Sequence, residues 1–122
     1  MNFKSFRESL SFDDVLLMPQ YSDVESRSQV DTSSYLDKDL KFKLPVISSP
    51  MDTVTEGSMA LALHKAGGLG IIHRYNTINE QADVVRKLRA NNDSMPIAVA
   101  IGATGDYLNR AETMTKSGTS IL

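Results

Sequence analysis

The spacing of apolar and polar positions changes near residue 44. Before it, residues 1–43 show little helical period. Phe12, Val15, Leu16, Leu17 and Met18 make a short apolar run stopped by Pro19, and the stretch 20–34, rich in Ser and Asp, reads as loop or extended chain. After it, short apolar runs alternate with amphipathic ones. Residues 44–47 read as a buried strand bounded by Ser48, Ser49 and Pro50. A helix should follow, with Thr55 as N-cap, Met59, Leu63 and Ala66 on its inner stripe, and Gly67-Gly68 as its stop. A second strand is expected over 69–72. The second helix starts at Thr77, whose partner Glu80 completes a capping box, and turns Ile78, Ala82, Val85 and Leu88 inward. A third strand over 97–101 leads to a helix over 106–116, with Leu108, Ala111 and Met114 inward. A fourth strand begins at 120–122.

Strand–helix units repeated at this interval imply α/β architecture, with parallel strands joined by right-handed crossovers. Strands apolar throughout need cover on both faces. Two architectures fit: an open flavodoxin-like sheet, or the first units of an eight-stranded barrel. We divide the chain into a lead-in, 1–43, and a strand–helix region, 44–122. Because the last strand has no helix after it, the chain is expected to be incomplete, truncated in its fourth strand.

Composition removes several function classes. The 122 residues are 41% hydrophobic and 23% charged, enough for a soluble core. A net charge of −2 supplies no basic field for nucleic acid, and Lys38, Lys41 and Lys43 alternate with Asp37 and Asp39 as in a solvated turn. There are no cysteines, so disulfides, thiolate metal sites and thiol nucleophiles are absent from this chain. His64 and His73 lack metal-ligand spacing. The opening twelve residues have no apolar run suited to a signal peptide, and no stretch approaches a membrane span. The expected location is cytoplasmic.

In either architecture ligands gather where strands end. The loop 48–55 brings together hydroxyls, Pro50, Met51 and Asp52, groups suited to a ribose or a purine edge; the same Ser, Asp and Thr could equally satisfy turn amides. In the next loop, His73 and Arg74 could meet a phosphate or cofactor, or could be a rim His and a paired Arg. His64, beside Lys65, reads as a surface residue. The loop 102–105 lacks the glycine pattern and Lys of a P-loop, and reads as a tight turn.

Longer motifs go further. Ser11-Phe12-Asp13-Asp14-Val15-Leu16-Leu17-Met18-Pro19-Gln20-Tyr21-Ser22, followed by Ser26-Arg27 and Val30-Asp31, resembles the opening segment of IMP dehydrogenases and GMP reductases. Ser48-Ser49-Pro50-Met51-Asp52-Thr53-Val54-Thr55-Glu56 is similar to that family's first strand-to-helix loop. Gly67-Gly68-Leu69-Gly70-Ile71-Ile72-His73-Arg74 resembles its second strand, and 77–81 the helix after it. The resemblance spans essentially the whole chain.

It implies the N-terminal part, about three and a half βα units, of a TIM (β/α)8 barrel. The implied reaction oxidises IMP to xanthosine monophosphate: a cysteine thiolate adds to carbon 2 of the hypoxanthine, a hydride passes to NAD, and water hydrolyses the covalent intermediate. The resemblance places Ser49 and Met51 against IMP, with Asp52 holding the loop. It sets His73 toward the nicotinamide and Ser26 toward the adenine end of NAD. The cysteine loop and a potassium site would lie beyond Leu122, so the chain alone is expected to be inactive. The complete family member is expected to be a homotetramer. Pro50 favours the dehydrogenase, since GMP reductases usually carry Ala-Asn-Met-Asp at the corresponding place. Only a few residues separate Leu88 from Pro96 and the third strand, which leaves no room for the regulatory CBS modules many dehydrogenases insert there. The alternatives are an NADPH-dependent GMP reductase and a non-catalytic nucleotide-binding or remnant protein. A phospho-receiver is disfavoured because no Asp follows the third strand.

Overall fold

A computed structural model describes residues 9–122. The first eight residues, part of the segment in which no signal peptide was read, lie outside the described set. The chain divides into two compact units, one ending at Asp31 and the other Thr32–Leu122.

The first unit has two short 3-10 turns, Phe12–Asp14 and Arg27–Gln29. Ser11 starts the first of them, where its backbone N–H and hydroxyl both reach the Asp14 carboxylate at 2.8 Å. Those two donors hold the Asp14 carboxyl below the ordinary carboxylate range, the backbone contact being the stronger cause. Ser26 starts the second turn, its Oγ accepting from the Ser28 N–H.

The second unit opens with a feature the hydropathy pattern did not announce. Strands β1 (Ser34–Asp37) and β2 (Leu40–Phe42) form an antiparallel hairpin within the segment read as lead-in, with an irregularity between Tyr35 and Asp37. Its turn carries Lys38 and Asp39, and the Lys41 ammonium sits 5.4 Å from the centre of the Tyr35 ring. Three parallel strands follow in sequential order: β3 (Ile47–Ser48), β4 (Leu69–Ile72) and β5 (Ala98–Val99). Ile47 pairs with Leu69, Ile71 pairs with Ala98, and a parallel bridge joins Ala98 to Ile121. A flavodoxin-like order would set the first of these strands between the second and third. Here the second strand lies in the middle, so that alternative is removed.

Strand β3 starts later than the apolar run predicts. Pro45 has no N–H to give, and Val46 N bonds back to Leu44 O at 2.8 Å, a kink that leaves only the Leu44 N to Gly67 O bond before the regular ladder. Helix α1 (Gly57–Ala66) starts one residue late as well, with Glu56 rather than Thr55 at its N-cap. Its inner residue is Ala60, 1% exposed, while Met59 is 43% exposed. Helix α2 (Ile78–Asn91) begins as predicted: Thr77 Oγ1 accepts from Glu80 N, and the Glu80 carboxylate accepts from the Thr77 N–H at 2.9 Å. Helix α3 (Tyr107–Lys116) buries Met114 as expected, but Leu108 points to solvent and Arg110 takes an inner position.

Alternation along the strands gives the sheet two apolar faces. Ile72, Ile97 and Val99 face the helices, where Ala60, Ala82, Val85, Leu88 and Met114 meet them. Leu69 and Ala98 face the other way, against Phe42 of the hairpin, with Leu40, Ile71 and Ile121 alongside. The hairpin therefore covers apolar area that helices on one side alone would leave wet.

Candidate functional site at the strand ends

The carboxyl ends of β3, β4 and β5 carry three loops, and buried polar groups hold two of them in place. In the first, the chain turns back at once: Met51 N bonds Ser49 O, while Val54 N and Thr55 N both reach Met51 O at 3.0 and 2.9 Å. Thr55 is fully buried beneath this turn. Its Oγ1 lies 2.5 Å from the Ser49 carbonyl and 2.7 Å from Ser48 Oγ. A hydroxyl has one proton, and a carbonyl can only accept, so Thr55 donates to Ser49 and the Ser48 hydroxyl is left to donate to Thr55. Thr55, read from sequence as a helix cap, thus fixes the loop from below.

Ser49, Met51 and Asp52 stay on the outside of that turn, exposed, with Met51 at 50%. Among the described residues the Asp52 carboxylate makes no hydrogen bond. The role of holding the loop, which the resemblance assigned to Asp52, is carried here by Thr55. The Asp52 oxygens remain available as acceptors for hydroxyls, beside the soft thioether of Met51.

The second loop starts at His73, 3% exposed. Tyr75 N donates to His73 Nδ1 at 3.1 Å, so that nitrogen carries no proton, and Nε2–H points to the Glu56 carboxylate 2.6 Å away. Both ring nitrogens are therefore spent within the chain. His73 joins the start of α1 to the end of β4 and presents to the loop a ring stacked on Tyr75, centroids 6.1 Å apart. The outward groups of this loop are Arg74 and Tyr75, the latter 68% exposed. Arg74 lies over Gly102, where a Cβ would come within 3.3 Å of its Nη1, so loops two and three are neighbours. The third loop is a turn with Gly105 at φ +70°, as its composition suggested.

Two residues of this arrangement escaped the sequence reading. Gln81, fully buried, donates from Nε2 to His73 O at 2.9 Å and to Ala100 O at 3.0 Å. Arg110, 7% exposed, donates to Gln81 Oε1, to Asn76 O and to the Asp106 carboxylate. A signal was present for each: Gln81 sits beside Ala82 and four residues before Val85, and Arg110 four residues before Met114, on faces that turn inward. Elsewhere, His64 is half-buried against Asn92, its Nε2 3.2 Å from Asn92 Nδ2. Ser26 belongs to the first unit.

Residues 9–122 match the family model described as IMP dehydrogenase / GMP reductase domain. The chain is 46% identical over 117 residues to inosine-5'-monophosphate dehydrogenase of Nitrosopumilus maritimus, covering 93% of this chain and 25% of that protein. It is 49% identical over 94 residues to the protein of the same name from Aquifex aeolicus, 77% of this chain and 19% of the relative. Against that of Rhodopirellula baltica the identity is 40% over 109 residues, with 84% and 20% covered. The chain spans about a quarter or less of the length of these relatives.

Proposed function

The chain belongs to the IMP dehydrogenase / GMP reductase family, and on that premise we propose that its strand-end loops form part of the IMP site of an IMP dehydrogenase, which hands the hydride of IMP to NAD in guanine nucleotide synthesis. One observation supports this most: Ser49, Met51 and Asp52 face outward from a loop that the buried Thr55 hydroxyl holds rigid. A preformed loop with a hydroxyl, a thioether and an exposed carboxylate suits a ribose and a flat base. The three relatives compared all carry the dehydrogenase name, so the reductase is not favoured.

In this reading the sequentially ordered parallel strands are the first of an eight-stranded barrel, and the loops sit at its catalytic face. NAD is the hydride acceptor. The groups that fit it here are the exposed Tyr75 ring, against which a flat ring could stack, and the Arg74 guanidinium, suited to a phosphate. His73, with both nitrogens engaged, supports Tyr75 and the loop rather than bonding the cofactor through its ring. Ser26 of the first unit is assigned to the adenine end. The potassium ion belongs to the complete enzyme, as does assembly as a cytoplasmic homotetramer.

The chain's own contribution is binding and orientation. Holding the base and ribose fixed lets a nucleophile outside these residues approach carbon 2 in line, without the entropy of an unguided encounter. With no cysteine, the 122 residues by themselves turn over no IMP. The test is calorimetric titration of the complete gene product with IMP, beside Ser49→Ala and Asp52→Ala. IMP binding weakened about tenfold by each, as for a lost hydrogen bond to a ligand, is expected. Wild-type protein that ignores IMP, or variants that bind it unchanged, would end the proposal.

A further inference from the structure

The parallel ladder between β4 and β5 ends at Ala100 N, which bonds Ile72 O at 2.8 Å. Beyond that bond the sheet has no N–H to offer the next two carbonyls, His73 O and Ala100 O. The Gln81 side chain supplies both, with its two amide protons at 2.9 and 3.0 Å. A side chain from the following helix thus extends the ladder one step past its backbone end. Left alone, the buried His73 carbonyl and the part-buried Ala100 carbonyl would each lose hydration without a replacing donor.

Arg110 completes the arrangement. Its Nη1 donates to Gln81 Oε1 at 2.9 Å, which fixes the amide so that its NH2 faces the two carbonyls. Its Nη2 reaches Asn76 O at 3.2 Å and Asp106 Oδ2 at 2.9 Å. The loop between β4 and α2 is therefore pinned at both ends, His73 O by Gln81 and Asn76 O by Arg110. Between those pins lie Arg74 and Tyr75, the outward groups. A guanidinium is the only side chain with donors spread widely enough to serve an amide oxygen, a main-chain carbonyl and a carboxylate together.

We infer that Gln81 and Arg110 are positioning residues for the ligand-facing loop 73–76, holding Arg74 and Tyr75 in place without touching ligand themselves. The inference deepens the proposed function, since it takes these strand ends as the nucleotide site. It also has a part that stands apart from any ligand: the loop keeps one conformation because its two end carbonyls are tied into the core. Substitution should therefore loosen the loop more than the helices, and should weaken NAD more than IMP, whose loop is held separately by Thr55.

The test uses the complete gene product and the variants Gln81→Glu and Arg110→Lys. Gln81→Glu keeps an acceptor for Arg110 but loses both donors to the carbonyls. Arg110→Lys keeps the charge but cannot reach three acceptors. Hydrogen exchange read by mass spectrometry should accelerate at least tenfold in peptides covering 73–77, with peptides covering 82–90 changed less than threefold. The KM for NAD should rise about tenfold while the Kd for IMP moves less than twofold. Exchange that stays at the wild-type rate in 73–77, or rises equally across α2 and α3, would overturn the positioning role. So would an unchanged KM for NAD in a variant whose loop has loosened. If Gln81→Glu does not fold, Arg110→Lys carries the same readouts. Wild-type protein without IMP binding would refute the proposed function, while loop-confined exchange would still stand for the clamp.

Discussion

Gly70→Ala tests how the site depends on the packing beneath it. Gly70 has a negative φ, so its backbone does not require glycine. What requires it is proximity: a Cβ there would lie 2.5 Å from Ala60 Cα and 2.8 Å from Ala60 Cβ. The nearest atom belongs to helix backbone, so no side chain can rotate away. Restoring an ordinary carbon contact of ~3.5 Å means that α1 must retreat by about 1 Å from β4. Overpacking of this kind costs about 1–3 kcal/mol, and a rigid backbone neighbour puts it at the upper end. Alanine returns part of that, about 0.5–1 kcal/mol, by restricting the unfolded chain. The net expectation is a loss of about 2 kcal/mol, or roughly 30-fold faster native-state exchange in α1 and β4. The retreat should also be felt at the site, because Glu56, at the N-cap of α1, holds His73 Nε2 at 2.6 Å. Adding Ala60→Gly removes the 2.8 Å contact but not the 2.5 Å one, so it should recover less than half. Exchange in α1 and β4 within about twofold of wild type in the single variant, or full recovery in the double, would refute the account of close backbone approach.

Three further outcomes follow from helix ends. Thr77→Ala removes the N-cap of α2 and should cost about 1 kcal/mol by thermal melting; a loss below about 0.3 kcal/mol would show that water replaces the cap. The Thr77 hydroxyl and then its backbone N–H hold the Glu80 carboxyl below the ordinary range, so its folded-state pKa lies under the unfolded one. Its contribution is fully present above the unfolded value of about 4.3 and is lost as pH falls through the lower folded value, so the melting difference between wild type and Glu80→Gln should close in acid; a constant gap would contradict it. Gly67 ends α1 at φ +92°, and a Cβ there would stand 2.9 Å from Lys43 Cβ. Gly67→Ala should cost at least 1–2 kcal/mol from handedness alone, and a melting temperature equal to wild type would argue against it.

Elements defined by one strong local signal were legible in the sequence. The second strand matched its apolar run, and α2 began where Thr77 and Glu80 announced it, because a capping box is local chemistry. What failed depends on distant partners. Hydrophobic size chose Met59, Leu63 and Ala66 as the inner stripe of α1, yet the position nearest the sheet is Ala60, because Gly70 lets backbone meet backbone there. The β1–β2 hairpin carries charges on exposed strands, and only Leu40 and Phe42 turn inward against β4 and β5. At the site, the outward residues Ser49, Met51 and Asp52 came from a loop that resemblance marked. Gln81 and Arg110 lay outside that loop: their spacing to Val85 and Met114 marked inward positions, but which groups a buried polar side chain serves shows only once its partners are in place.

Two arginine networks, one around the half-buried Arg89 and one around the buried Arg110, show why the strand ends differ. Arg89 gathers the amino-terminal side, donating to the carbonyls of Asp93, Met95 and Gly118 and to Ser120 Oγ. All of these flank β5 and the bridge residue Ile121, and nothing they hold faces a candidate ligand group. Arg110 gathers the carboxyl-terminal side, and what it holds through Gln81 is the loop carrying Arg74 and Tyr75. Both hubs satisfy carbonyls that parallel strands leave over at their ends, which is the general problem of such a sheet. At one end the solution only closes the structure. At the other, satisfying the same carbonyls also fixes the distance between outward groups, so stability and ligand geometry rest on the same hydrogen bonds.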